Sequence, residues 1–235
     1  MKNLLLSSIS LLSLIVGMEA RANFTSEIYE LNSGRKNLLY KGASTLTEKD
    51  GVSESKTIFT DPAGAVVVEE IGVFKGSTLI RYDIKQKQMN VDGTVSINGD
   101  VVNFKKTEGG KDETADEKFK SAVVIAPTFS AYVKDNWAEL LKGKTVSFRF
   151  ASWERMETVG FDIKKSSETT IDGKPAVVVK MSASSFIIAA IVNPMYFTYS
   201  ADGNALLEMK GRVPPKKKVD AKWKDLDAEV VYHWQ

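Results

Sequence analysis

The chain is expected to fold as a mainly β, α+β protein with an antiparallel sheet and a few helices. Three observations predict this. Strand-like runs recur from Ile28 almost to the carboxyl end. Asn98-Gly99, Asp172-Gly173 and Asp202-Gly203 lie between such runs and supply the positive φ angles that tight hairpins need. Only two stretches, near residues 128–142 and 184–192, carry a helical spacing of apolar residues.

The first element is an export signal. Lys2 gives a basic start, Leu4 to Val16 is apolar with scattered serines, and Ala20-Arg21-Ala22 places small residues where a signal peptidase reads, so cleavage is expected between Ala22 and Asn23. The apolar run falls short of the roughly 20 residues that a membrane-spanning helix requires. Removing residues 1–22 of 235 leaves 213, a length that one all-β domain covers, so 23–235 is expected as a single β-rich domain. The sequence has no cysteine, so its apolar core must hold an exported domain without disulfides.

Several strands alternate, which places one face inward and one in water. The expected inward sets are Ile80, Tyr82 and Ile84, then Val146, Phe148 and Phe150, then Val159, Phe161 and Ile163. Ala65 to Val68, Ala122 to Ala126 and Ala176 to Val179 are apolar throughout and suit strands covered on both faces. The hairpin at Asn98-Gly99 joins Val95 to Ile97 with Asp100 to Phe104. Thr107 to Lys120 is polar and is expected as a loop or short surface helix. Val213 to Asp227, with Pro214-Pro215 and Lys216 to Lys218, is expected to interrupt the last two strands.

The first helix follows from Phe129, Tyr132, Val133, Trp137, Leu140 and Leu141, spaced as one apolar stripe, with Thr128 or Ser130 capping its start and Gly143 ending it. The second runs from Ser184 to Val192, with serines ahead of Phe186, Ile187, Ile188 and Ile191, and Pro194 beyond.

The residue types exclude several chemistries. His233 is the only histidine and there is no cysteine, which removes histidine-based triads, multi-histidine metal sites and thiol chemistry. Glu69-Glu70 and Glu154 with Glu157 are pairs that any acid-rich chain contains, and solvated carboxylates are the usual case. No cofactor and no metal are expected, and the chain is read as not an enzyme, hydrolysis of a glycan or ester by two carboxylates about 5 to 10 Å apart in an open cleft being the remaining alternative. Thirty-two basic against thirty acidic residues leave a formal charge of +2, or +1 once Lys2, Glu19 and Arg21 are gone, which argues against a nucleic-acid partner. The run Lys216 to Lys218 is preferred as a solvated loop over a peripheral contact with anionic lipid.

What remains is apolar surface. Phe129, Tyr132, Trp137, Phe186, Ile187, Ile191, Met195, Tyr196 and Phe197 fall in two short spans. Any one of them suits a core; together they are the candidate lining of a gap between a curved sheet and its helices, shaped for an acyl chain or another apolar ligand.

The order of elements from Ser184 to Gly211 carries a resemblance. A short apolar helix is followed by Val192-Asn193-Pro194-Met195-Tyr196-Phe197-Thr198-Tyr199, then Ala201-Asp202-Gly203-Asn204, then Leu206-Leu207-Glu208-Met209-Lys210-Gly211. With Trp137 to Gly143 and the strand Val146 to Phe150, this resembles the periplasmic lipoprotein-carrier (LolA-like) superfamily and related exported domains over residues 127–211. The resemblance implies a curved, unclosed antiparallel β-barrel with helices covering its open concave side, a periplasmic home, and an apolar small molecule, lipid or lipoprotein as partner. The leading expectation is therefore non-catalytic lipid binding in an apolar cavity; a protein-interaction or structural module with a filled core is the alternative.

Overall fold

The computed structural model describes residues 19–190 and 192–235, with side chains from Asn23 onward. Residues 1–18 of the expected signal, and Ile191 of the candidate lining, lie outside the described residues. The first strand, β1 (Glu19–Glu30), begins on the signal side of the expected cut and pairs Ala22 with Leu46.

After β1 the chain runs as a meander of hairpins: β2 (Leu38–Lys49), β3 (Val52–Thr60), β4 (Val66–Lys75), β5 (Thr78–Gln86), β6 (Val91–Asn98), β7 (Val101–Glu108) and β8 (Lys111–Lys118). The short β9 (Val123–Val124) leads into helices α1 (Ala126–Asp135) and α2 (Trp137–Leu141). A second meander follows: β10 (Val146–Ser152), β11 (Glu157–Ile171), β12 (Lys174–Ala183), the one-turn helix α3 (Phe186–Ala189), β13 (Met195–Ser200), β14 (Leu206–Val219) and β15 (Lys222–Trp234).

The fifteen strands of the described residues form one sheet, in the order β8 down to β1, then β15 down to β9. Every neighbouring pair is antiparallel except β9 with β10. The two edges, β8 and β9, are consecutive in the chain, with only residues 119–122 between them. Such a link spans at most about 17 Å, so the sheet must curl until its edges approach, and it does so without pairing them. The chain is thus a mainly β protein built on one large, unclosed, antiparallel-dominated sheet.

Side chains tie strands that are far apart in this order. Gln86 Nε2 donates to the Pro214 carbonyl at 2.9 Å, and the Lys216 amide donates to Gln88 Oε1 at 2.7 Å. Tyr40 Oη donates to the Lys216 carbonyl at 2.7 Å. At the edges, Glu117 of β8 accepts from the Thr158 amide at 2.7 Å, the Thr158 hydroxyl at 2.5 Å and Arg149 Nη2 at 3.0 Å.

The expected hairpins at Asn98-Gly99, Asp172-Gly173 and Asp202-Gly203 are present. At the second, Asp172 and Gly173 are both left-handed (φ 49° and 77°), the conformation of a two-residue hairpin turn. Several expectations are corrected. Thr107 to Lys120 is no loop or helix: it forms most of the β7–β8 hairpin, turning at Gly109-Gly110. Lys105 with Asp112 (2.7 Å) and Lys106 with Glu113 (3.2 Å) pair across it, and charge is what keeps an exposed edge strand from recruiting another. Val213 to Asp227 does not interrupt β14 and β15; a bulge between Val213 and Lys217 takes up the two prolines, where no ladder donor is needed.

Ile80 is not inward. A bulge in the β4–β5 pairing after Val73 sets Leu79 into the core and leaves Ile80 41 % exposed. The expected second helix shrinks to the four residues of α3, and Ser185 at its start makes no side-chain cap. β-Branched residues from Ile187 onward account for so short a turn. The first helix splits at Asn136; Thr128 satisfies its start from inside, its Oγ1 accepting from the Ile125 amide at 3.1 Å.

Candidate functional site

The two helical stretches carry the candidate residues into different surroundings. α1 and α2 bring Phe129, Tyr132 and Trp137 into the core, and β13 brings Phe197. The Phe129 ring lies 4.5 Å from Phe197 and 5.9 Å from Phe148, and Tyr132 lies 5.3 Å from Phe148. Each polar tip is satisfied: Tyr132 Oη donates to the Ser147 carbonyl at 2.9 Å, and Trp137 Nε1 to the Ala201 carbonyl at 3.3 Å. The Trp137 indole lies against Gly203, where a Cβ would come within 2.5 Å of the ring, so only glycine fits that turn.

Met195 is half-buried against Gly211, and Tyr196, on the opposite parity, is 36 % exposed. Phe186 and Ile187 take no part in the ring contacts. They stand at the tip of α3, 90 % and 78 % exposed. The structure thus joins Phe129, Tyr132, Trp137 and Phe197 in one packed cluster and holds Phe186 and Ile187 out in solvent. Two surface grooves of about 510 Å³ each lie elsewhere, one beside Leu141, Pro175 and Ala201, the other beside Thr25, Lys41 and His233. None of the eight described candidates lines either.

Three polar groups hold positions that sequence reasoning did not give them. The first is Glu70, buried on the inward parity of β4 with Val68, Gly72 and Phe74. Tyr82 Oη donates to it at 2.6 Å, yet loss of water pushes its pKa up to about 7. Burial first, and then the Glu70 charge, raise the Tyr82 and Tyr232 phenols as well. The alternation Val68-x-Glu70-x-Gly72-x-Phe74 was the signal that could have found it.

The second is Lys216, expected to be solvated and found buried, its ammonium paired with Glu154 at 2.5 Å and Asp225 at 2.8 Å. The third is Glu117. Burial raises its pKa, but the hydrogen bonds from Thr158 and the Arg149 charge outweigh that and hold it below the usual carboxylate range. His233 is exposed, with Nε2 at 3.3 Å from Glu27 Oε2. Among the described residues no three metal-ligating side chains cluster, and no helix is long and apolar enough to cross a membrane.

No family model and no curated protein matches the chain. Solved structures give likenesses, three of which follow. A β-barrel-like protein of a domain of unknown function, DUF1849, from Brucella abortus is 10 % identical, with 91 % of this chain and 94 % of that one covered and a TM-score of 0.48. A porin-like protein from Bacteroides uniformis is 9 % identical over 92 % and 96 %, with a TM-score of 0.25. A domain named for outer membrane lipoprotein sorting, from Vibrio parahaemolyticus, is 10 % identical over 91 % and 84 %, with a TM-score of 0.23. The functional reading rests on the site itself.

Proposed function

We propose that this chain is a non-catalytic envelope protein that binds lipid or a lipid-modified partner, and that α3 makes the contact. The observation that carries the reading is the exposure of Phe186 and Ile187 side by side at the tip of one turn. Scattered single apolar side chains are ordinary at a surface; two nearly bare ones together make a handle for an apolar partner. Burying both would stabilise a complex by about 3 to 6 kcal/mol. Export is supported by the signal pattern of residues 1–22, and a periplasmic home by the resemblance to the lipoprotein carriers.

In this reading α1 and α2 sit on the hollow side of the sheet. Support comes from α1, which touches strands of both meanders: Pro127 lies where a Cβ on Gly72 of β4 would be, while Phe129 meets Phe148 of β10 and Phe197 of β13. A second reading, an interaction or structural module with a filled interior, is favoured by the ring-to-ring packing of Phe129, Tyr132, Phe148 and Phe197.

Cosedimentation with phospholipid vesicles tests the proposal. The protein is expected to partition onto vesicles, and Phe186→Ser with Ile187→Ser to lower partitioning by at least about tenfold with an unchanged circular dichroism spectrum. Protein that stays in the supernatant at every lipid concentration removes the lipid reading and leaves the interaction module.

A further inference from the structure

The outward face of the sheet below α3 carries an unusual row. Lys164 pairs in register with Lys180, Lys180 with Tyr196, and Tyr196 with Lys210, so four exposed side chains stand abreast on β11, β12, β13 and β14. At the usual strand spacing the row is about 15 Å wide. Like charges directly opposite one another destabilise a sheet, and here Lys164 and Lys180 are such a pair. Among the described residues neither has a carboxylate at ion-pair distance, whereas Lys210 reaches Glu229 at 3.7 Å. Toward α3 the acids on neighbouring strands are engaged: Asp162 accepts from the Ser147 hydroxyl at 2.6 Å, and Asp227 holds Arg212 at 2.7 Å.

We propose that this row reads anionic phospholipid head groups, so that the partner of α3 is the surface of an anionic bilayer. The inference rests on the reading of α3 as the lipid contact and adds the headgroup class. Lys180 lies six residues from Phe186, roughly 20 Å along an extended strand, and a lysine stem snorkels its amine several ångströms toward the surface. With the apolar tip sunk about 5 to 10 Å into the headgroup boundary, the amines stand within about one Debye length of the phosphates. Tyr196, apolar in body and polar at its tip, suits the same level.

The test compares phosphatidylcholine vesicles with vesicles of phosphatidylcholine and phosphatidylglycerol. Binding is expected to be tighter to the anionic vesicles and to weaken with added salt. Lys164→Gln with Lys180→Gln should lower affinity for the anionic vesicles by about tenfold or more, at roughly fivefold per lysine, and leave the weaker binding to neutral vesicles unchanged. Phe186→Ser with Ile187→Ser should weaken both. If the lysine variant binds anionic vesicles as the parent does, the headgroup inference is overturned while the α3 reading stands. If the serine variant binds both kinds as the parent does, the α3 reading fails and this inference with it.

Discussion

At the scale of the residue, Glu70 is the side chain whose ionisation bears most on stability near neutral pH. Its folded pKa of about 7 stands above its ordinary value of 4.5, so the fold favours the neutral acid. A raised value means that this contribution is complete below about pH 4.5 and is lost as pH climbs through about 7. Glu70→Gln, neutral at every pH, should therefore flatten the dependence. Between about pH 5 and about pH 8 the parent should lose some 2 to 3 kcal/mol of denaturation free energy that the variant keeps. Equal pH slopes in urea titrations of the two proteins would remove this account of Glu70. Lys216 makes the complementary point: a run of only three lysines suits a solvated loop, whereas the bulge between Val213 and Lys217 resets the strand and Lys216 turns inward to Glu154 and Asp225.

At the scale of the element, local chemistry was legible and context was not. The Asp172-Gly173 turn carries its own conformational signal, and the stripe from Phe129 to Leu141 is buried where its spacing placed it except at Leu141, which is 42 % exposed. The β7–β8 hairpin was hidden because charges on an exposed edge strand look like those of a loop. Ile80 was misplaced because a bulge resets parity without marking the sequence. The candidate residues divided for a related reason: apolar side chains at Phe129 and Phe186 look alike until a neighbouring strand is present for one and missing for the other. The β8 edge gives a prediction at this scale. It meets β10 and β11 through Glu117, so Glu117→Ala should cost about 1 to 3 kcal/mol and speed amide exchange in β8 more than in β4 or β5. Uniform protection across the three strands would show that the clasp does not hold the edge.

At the scale of the whole molecule, the curl of the sheet was not readable from any one strand; it follows from which strands are neighbours. β1 and β15 pair in the middle of the sheet, Phe24 opposite Trp234, and the Gln235 amide donates to the Asn23 carbonyl at 2.9 Å. The two meanders are thus halves stitched by the first and last of the described strands. Deleting β15 should abolish the cooperative thermal transition rather than merely lower its midpoint, as scanning calorimetry would show. The same stitch constrains biogenesis. β1 is made well before β15, so it must wait with one side unsatisfied while the roughly two hundred residues between them are added. Until β15 arrives, the free edge of β1 is a place where another strand could pair in error.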